Sequence, residues 1–232
     1  MFVVPTIVSN QDGSHPGLAK TLERHLARPF APPAGPRRAA LYNALAPLIN
    51  TAQAEGRAVI LDSGCGRGES SFWLARQHPQ ALVLGVDKSE QRLSAAEKQA
   101  QPPGLHFLRA ELSDLWLLAW QHGWRFSLLT MLYPNPWPKS EHLKRRWHGH
   151  PIFPFVLHSC DQLLLRSNWA IYAEEFALAC QQASGVSCAA AAYQPETAIT
   201  AFERKYLRAG QALYQVQWQN PGWRFGDPAS PH

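Results

Sequence analysis

The chain has 232 residues, 46% hydrophobic and 17% charged, with a formal net charge of +5. That length suits one domain with a sizeable core, and the sequence has neither an apolar run of membrane-spanning length nor a signal-peptide pattern, so a soluble protein of the cytoplasm is expected. The positive balance favours a polyanionic partner, while Cys65, Cys160, Cys180 and Cys188 show no Cys-x-x-Cys spacing and point away from a zinc site or a disulfide framework, towards reduced and mostly buried thiols.

Residues 1–36 are rich in Pro, Gly and polar side chains, with one short helical stretch from Leu18 to Ala27 and the breaker Pro29 to Pro36. They read as a partly disordered arm. From Arg37 to Ala54 the positions Leu41, Leu45, Leu48 and Ile49 recur at helical spacing and predict a helix. A single domain then extends over residues 37–220, and 221–232 form a tail.

Ala58 to Leu61 is a short β-branched run that ends in Asp62-Ser63-Gly64-Cys65-Gly66-Arg67-Gly68, and Ser70 to Gln77 follows as a helix with Ser70 or Ser71 near its start. Glycines at alternate positions let the main chain turn tightly and let a ligand approach without meeting a Cβ. A second buried strand, Ala81 to Val86, ends at Asp87, where an open α/β sheet sets a carboxylate against the ribose hydroxyls of a nucleoside. A plain βα turn with a capping Asp is the structural alternative.

The alternation continues with a helix from Ser89 to Gln99, a strand from Leu105 to Arg109, Glu111, a helix from Leu112 to Trp120 and a strand from Phe126 to Leu132. Strands alternating with helices predict an α/β fold, a mostly parallel sheet with helices on both faces. Its ligands lie beyond the carboxyl ends of the strands, so Asp62, Asp87, Glu111 and Asn135 are expected to rim one crevice. Glu111 also suits an ordinary first-turn acid of a helix. Trp116, Trp120 and Trp124 are expected in the core.

Tyr133 to Lys139 carries three prolines, which exclude a central strand or a helix interior and predict a stiff loop. Asn135 stands between two of them, and Lys139, His142, Lys144, Arg145 and Arg146 follow. This composition suits either a solvated basic loop or a site facing something anionic and planar. His142, His148, His150 and His158 lack metal-ligand spacing and read as side chains of the surface or of the face turned to an anionic partner. Beyond them the sequence predicts a short helix from Pro154 to His158, a strand from Gln162 to Arg166, a helix from Tyr172 to Gln182 and two closing strands, Ala189 to Tyr193 and Ala212 to Trp218. A polar, basic connector over Thr200 to Tyr206 joins the last two.

Four stretches together resemble the TrmB-like tRNA (guanine-N7)-methyltransferases, within the class I S-adenosylmethionine-dependent methyltransferases. They are Leu61 to Gly68, Tyr133 to Lys139 with His142 and Lys144 to Arg146, Ser167-Asn168-Trp169 with Tyr172 to Glu174, and Thr200 to Arg204 with Gly210. The resemblance implies a Rossmann-like, seven-stranded fold, S-adenosylmethionine as cofactor and tRNA as partner, with no metal and a monomer or homodimer.

It also implies roles. Asp62 with Gly64, Gly66 and Gly68 would hold the methionine end of the cofactor, Asp87 its ribose, and Glu111 would lie near the adenine. Asn135 would be the catalytic candidate, beside the methyl donor and the guanine. Lys139, Asn168, Thr200, Phe202 and Glu203 would bind the nucleotide, and His142, Lys144, Arg145 and Arg146 the RNA. Family members carry Asp where this chain has Asn135 and Asn168, which opens two further readings: methylation of another base or a small molecule, or a binding protein without catalysis. The chain also lacks the family's basic N-terminal segment.

Overall fold

The computed structural model describes residues 6–226, so residues 1–5 of the expected arm and 227–232 of the tail lie outside it. In chain order the elements are α1 (Leu18–Ala27), α2 (Pro36–Ala54), β1 (Val59–Ser63), α3 (Glu69–Gln77), β2 (Leu82–Asp87), α4 (Glu90–Glu97), β3 (Leu105–Arg109), α5 (Leu112–His122) and β4 (Phe126–Leu132). Two 3-10 turns, Ser140–Arg145 and Trp147–Gly149, precede α6 (Phe153–His158), β5 (Cys160–Ser167), α7 (Ala170–Ser184), β6 (Ala190–Tyr193), α8 (Ala201–Arg208) and β7 (Leu213–Gln219).

The strands form one sheet in the order β3-β2-β1-β4-β5-β7-β6. The first five are parallel, and β7 runs antiparallel to both β5 and β6. Every residue of β1 and β2 is buried, as strands covered on both faces require. Alternate side chains feed two layers: Ile60 and Val83 pack with α3 and α4, whereas Leu61 and Leu84 pack with α2, α5, α6 and α7. Trp116, Trp120 and Trp124 are buried in the second layer, as their spacing predicts. All four cysteines are free, and three of them are buried.

Two regions differ from the sequence reading. Residues 6–36 are tied to the domain: Leu18 and Leu22 of α1 enter the core, and Ser9 Oγ donates to the Pro138 carbonyl at 2.7 Å. The Thr200 to Tyr206 connector is mostly helix α8, whose start is fixed by Thr200 Oγ1 accepting the Glu203 N–H at 3.0 Å.

Among the described residues no helix is long and apolar enough to cross a membrane, and no three His, Cys, Asp or Glu side chains stand together as a metal site.

Candidate functional site

From β1 the chain moves to β2 and β3 on one side, then returns to lay β4 and β5 on the other. The loops after β1 and β4 therefore flank the switch in strand order, where open α/β sheets bind ligands. In register Ser63 pairs with Met131 and Leu132 with Arg166, so the glycine loop, Asn135 and Asn168 leave adjacent strand ends.

The Gly64 and Cys65 N–H groups donate to the Val86 carbonyl at 2.8 and 3.1 Å, which pins the start of the glycine loop to β2. Gly64, Gly66 and Gly68 all have left-handed φ, of 78°, 59° and 80°. They serve different ends. A Cβ on Gly64 or Gly66 would meet nothing within 4 Å, whereas one on Gly68 would come within 2.5 Å of the Phe107 ring. Bare main chain faces open space at the first two, and Gly68 is required by packing.

Asp62 does not present its carboxylate to the crevice. It is buried, Oδ2 accepts the hydroxyls of Ser70 and Ser71 at 2.6 Å each, and Oδ1 accepts that of Thr130 at 2.8 Å. Burial pushes its pKa up against those three donors. The expectation that Asp62 grips a ligand is corrected: it fixes the loop by joining β1, β4 and α3. Ser70 and Ser71 are likewise donors to Asp62 and not helix caps, α3 being entered from Gly68 with no side-chain cap.

Asp87 connects the glycine loop to α4. Its Oδ2 accepts the Gly66 N–H at 3.0 Å and an Arg92 N–H at 3.3 Å, and its Oδ1 accepts the Ser89 N–H at 2.8 Å. Glu111 is exposed at the carboxyl end of β3, at the start of α5.

Beyond β4 the main chain is strained on either side of Asn135. Tyr133 and Trp137 have φ of 55° and 46°, the two non-glycine residues with positive φ among those described. Each costs about 1–3 kcal/mol and needs surroundings that impose it. Tyr133 is held by its N–H donating to the Arg166 carbonyl at 2.8 Å and its hydroxyl donating to Glu203 at 3.0 Å. Asn135 is exposed and its Oδ1 accepts the Trp137 N–H at 3.3 Å, while its amide NH2 has no hydrogen-bond acceptor among the described residues.

Arg146 holds the other end of the loop. Its guanidinium donates to the Trp137 carbonyl from Nε at 3.2 Å and from Nη2 at 3.1 Å, to the Lys139 carbonyl at 3.2 Å, and to Gln11 Oε1. It also pairs with Glu175 Oε2 at 2.6 Å and lies over the Trp169 ring, its Cζ 4.9 Å from the centroid. Glu175 in turn accepts the His15 N–H at 2.8 Å and His148 Nε2–H at 2.8 Å. Arg146, expected against RNA, is therefore corrected to a buried structural residue. The 3-10 turn rotates Lys144 and Arg145 outward and leaves the next cation inside.

Lys139, Lys144 and Arg145 are exposed, Arg145 standing 4.8 Å over the Trp137 ring. His142 is half-buried, edge-on to Trp137 at 5.5 Å. The surface reading fails for His148, which is buried against Glu175, and for His158, which is buried with Nδ1 accepting the Phe225 N–H at 3.0 Å.

On the far wall, Asn168 is half-buried and its Nδ2 donates to Gln211 Oε1 at 3.0 Å. Phe202 is 48% exposed, its ring 6.5 Å from that of Tyr133. Thr200 and Glu203, expected to touch the nucleotide, are turned inward. Thr200 caps α8, while the wholly buried Glu203 accepts from Tyr133, from Arg166 Nη1 at 2.6 Å and from the Ile199 N–H at 2.7 Å.

Sequence reasoning missed Thr130, Arg166 and Glu175. Thr130 and Glu175 carried a signal, a polar side chain within a mostly apolar strand or on the inward face of a helix, where such groups need a partner, whereas Arg166 stands at the polar end of β5 and carried none.

Sheet order, glycine loop and the Asn135 loop define a class I S-adenosylmethionine-dependent methyltransferase. The chain belongs to the family described as "Putative methyltransferase", whose model matches residues 56–216. It is 30% identical over 173 residues to the tRNA (guanine-N(7)-)-methyltransferase of Halorhodospira halophila, covering 69% of this chain and 75% of that one. It is 27% identical over 165 residues to the protein of the same name from Thiobacillus denitrificans, covering 68% and 73%. These matches bear out the resemblance to TrmB-like proteins. Among solved structures the 16S rRNA methyltransferase KamB superposes with a TM-score of 0.55 at 18% identity, over 76% of this chain and 92% of that one. A 16S rRNA (adenine(1408)-N(1))-methyltransferase from Catenulisporales acidiphilia gives 0.51 at 14%, over 80% and 94%. Likeness at that level bears on the fold alone.

S-adenosylmethionine is the cofactor, and the residues present fit it. Gly64 and Gly66 leave main chain open to a ligand and Glu111 is exposed at the end of β3, while Asp87, at the end of β2, is buried and already accepts the Gly66 and Ser89 N–H groups, so it shapes the loop at the place where a ribose would lie.

Proposed function

We propose that this protein methylates N7 of a guanine in tRNA, using S-adenosylmethionine. The observation that carries the reading is the pairing of the glycine loop after β1 with the strained Asn135 loop after β4 across the switch in strand order. The cofactor supplies an electrophilic methyl group on a sulfonium centre. Guanine N7 is an unprotonated lone pair at neutral pH, so the reaction asks the protein for placement and exclusion of water more than for a general base.

The side chains suit that task. Asn135 uses its oxygen on the Trp137 N–H and keeps its amide NH2 as a donor for the O6 that neighbours N7 on the guanine edge. Asn168 gives its NH2 to Gln211 and keeps its oxygen as an acceptor for the donors N1–H and N2–H. One amide thus offers a donor and the other an acceptor, which two carboxylates would not do. Phe202 offers an exposed ring beside them for stacking. Lys139, His142, Lys144 and Arg145 hold the RNA backbone, and the enzyme works in the cytoplasm as a monomer or homodimer without a metal ion.

The test is methyl transfer from labelled S-adenosylmethionine to tRNA lacking its native N7-methylguanosine, digested and read nucleoside by nucleoside. The label is expected in N7-methylguanosine. Label in another nucleoside, or none despite bound cofactor, refutes the reading.

A further inference from the structure

On the α3 side of the sheet a groove of about 450 Å³ lies between α3 and the segment that leads into α8. Glu69, Trp73 and Arg76, on one face of α3, form one wall, and Thr197, Ile199 and Arg204 form the other. None of the residues assigned to the cofactor or the target base lines it. It nevertheless begins at Glu69, next to Gly68, and its second wall includes α8, the helix that carries Phe202.

Its chemistry is set by three side chains. Arg204 meets Glu69 at 2.6 Å across the mouth of the groove and neutralises that acid. Arg76 is exposed and makes no hydrogen bond or ion pair among the described residues. Trp73 is half-buried, packed against both the apolar cluster that contains Ile60 and Phe72 and the one that contains Tyr133 and Ile199, and it supplies an aromatic wall. A guanidinium without an anion, beside an indole in a concavity of ligand size, is the combination that holds a phosphate and a base of an unpaired strand.

We infer that this groove takes one nucleotide of the tRNA strand adjoining the methylated guanine, with Arg76 on its phosphate and Trp73 against its base. The inference rests on the proposed tRNA substrate: the groove adjoins Gly68 and α8, which flank the crevice where the target base is proposed to sit. It extends the RNA contact from the Lys139 to Arg145 segment to the opposite side of the crevice.

Arg76→Gln, Arg76→Glu and, from the facing wall, Thr197→Glu change exposed positions outside the core. With Arg76→Gln the KM for tRNA is expected to rise about threefold to tenfold, and the salt dependence of log KM to fall by about one unit. The two Glu variants are expected to raise KM further, with kcat and cofactor affinity unchanged in all three. An unchanged KM and salt slope in Arg76→Glu overturns the inference. So does a site that inorganic phosphate occupies in the wild type and not in Arg76→Gln while tRNA kinetics stay the same. If the wild type methylates no tRNA, the functional reading fails separately, and equilibrium binding of tRNA to the same variants still decides the groove.

Discussion

Arg146 and Glu175 form an ion pair at 2.6 Å with both side chains wholly buried, and the same guanidinium holds two carbonyls of the Asn135 loop. Removing one partner strands a charge in the interior, which costs about 3–5 kcal/mol. Arg146→Ala or Glu175→Ala should therefore lower the melting temperature by roughly 10 °C for a chain of this size. Wherever the Arg146 variant is still folded, its tRNA binding should keep the wild-type salt slope. A slope reduced by a unit would return Arg146 to the RNA surface.

Exposed cations should behave in the opposite way. Lys144→Ala and Arg145→Ala should leave the melting temperature within about 1–2 °C, since surface changes are small in energy. Each should lower the salt slope of tRNA binding by about one unit. Titrating affinity against salt for the single and double variants checks this.

The glycines should separate binding from folding. Gly66→Ala places a Cβ in open space, so the folded protein bears only the left-handed backbone, about 1–2 kcal/mol, while S-adenosylmethionine affinity should fall by about tenfold or more. Gly68→Ala drives a Cβ into the Phe107 ring and should reduce stability first. Calorimetric titration beside thermal melts distinguishes the two.

Asn135→Ala keeps the fold and removes the amide. A lost positioning contact of this kind lowers kcat on the order of 100-fold, and cofactor affinity should stay within about twofold because the glycine loop is untouched. Single-turnover methyl transfer measures it. A kcat near wild type would mean that Asn135 does not touch the base.

Stability should decline as the pH falls from about 6.5 towards 4. Burial, with Arg224 and Arg125 nearby, holds His158 down at about 4, so over that interval the unfolded chain binds a proton that the native state refuses. Burial lowers His25, His148 and His150 in the same direction. Below this range Glu175 adds a loss of its own: its donors His148 and Arg146 overcome burial and hold it at about 2, so its contribution is present above the ordinary carboxylate pKa and disappears as pH falls through 2. Denaturant melts from pH 4 to 7 should show the slope, and His158→Gln should make it shallower while the other three histidines keep part of it.

Much of the architecture was legible in the chain. β3 and β4 span the residues that their apolar runs marked, because a buried strand ends where polar residues or prolines begin. The loop ends of β1, β2 and β4 could be placed for the same reason. Helix α8 escapes a sequence reading although Thr200 and Glu203 stand at capping-box spacing, because eight residues give only about two turns on which a helical period can show. Side-chain direction was the least legible property. Lys144, Arg145 and Arg146 look alike in sequence, and only the turn and the distant Glu175 decide which one goes inside. Asp62 is similar: its donor Thr130 lies 68 residues away, beyond any local pattern.

The contacts of the N-terminal segment bear on how the chain is made. Ser9 reaches Pro138 across 129 residues, and Gln11 Nε2 donates to Glu175 at 3.0 Å across 164. Loops that long close late, because their entropy is lost before any contact repays it. On the ribosome Ser9 and Gln11 emerge well before Pro138 and Glu175, and must wait for most of the sheet to be translated before they find these partners. The Asn135 loop thus reaches its final shape late in folding, because Arg146, which holds it, is itself held by Glu175.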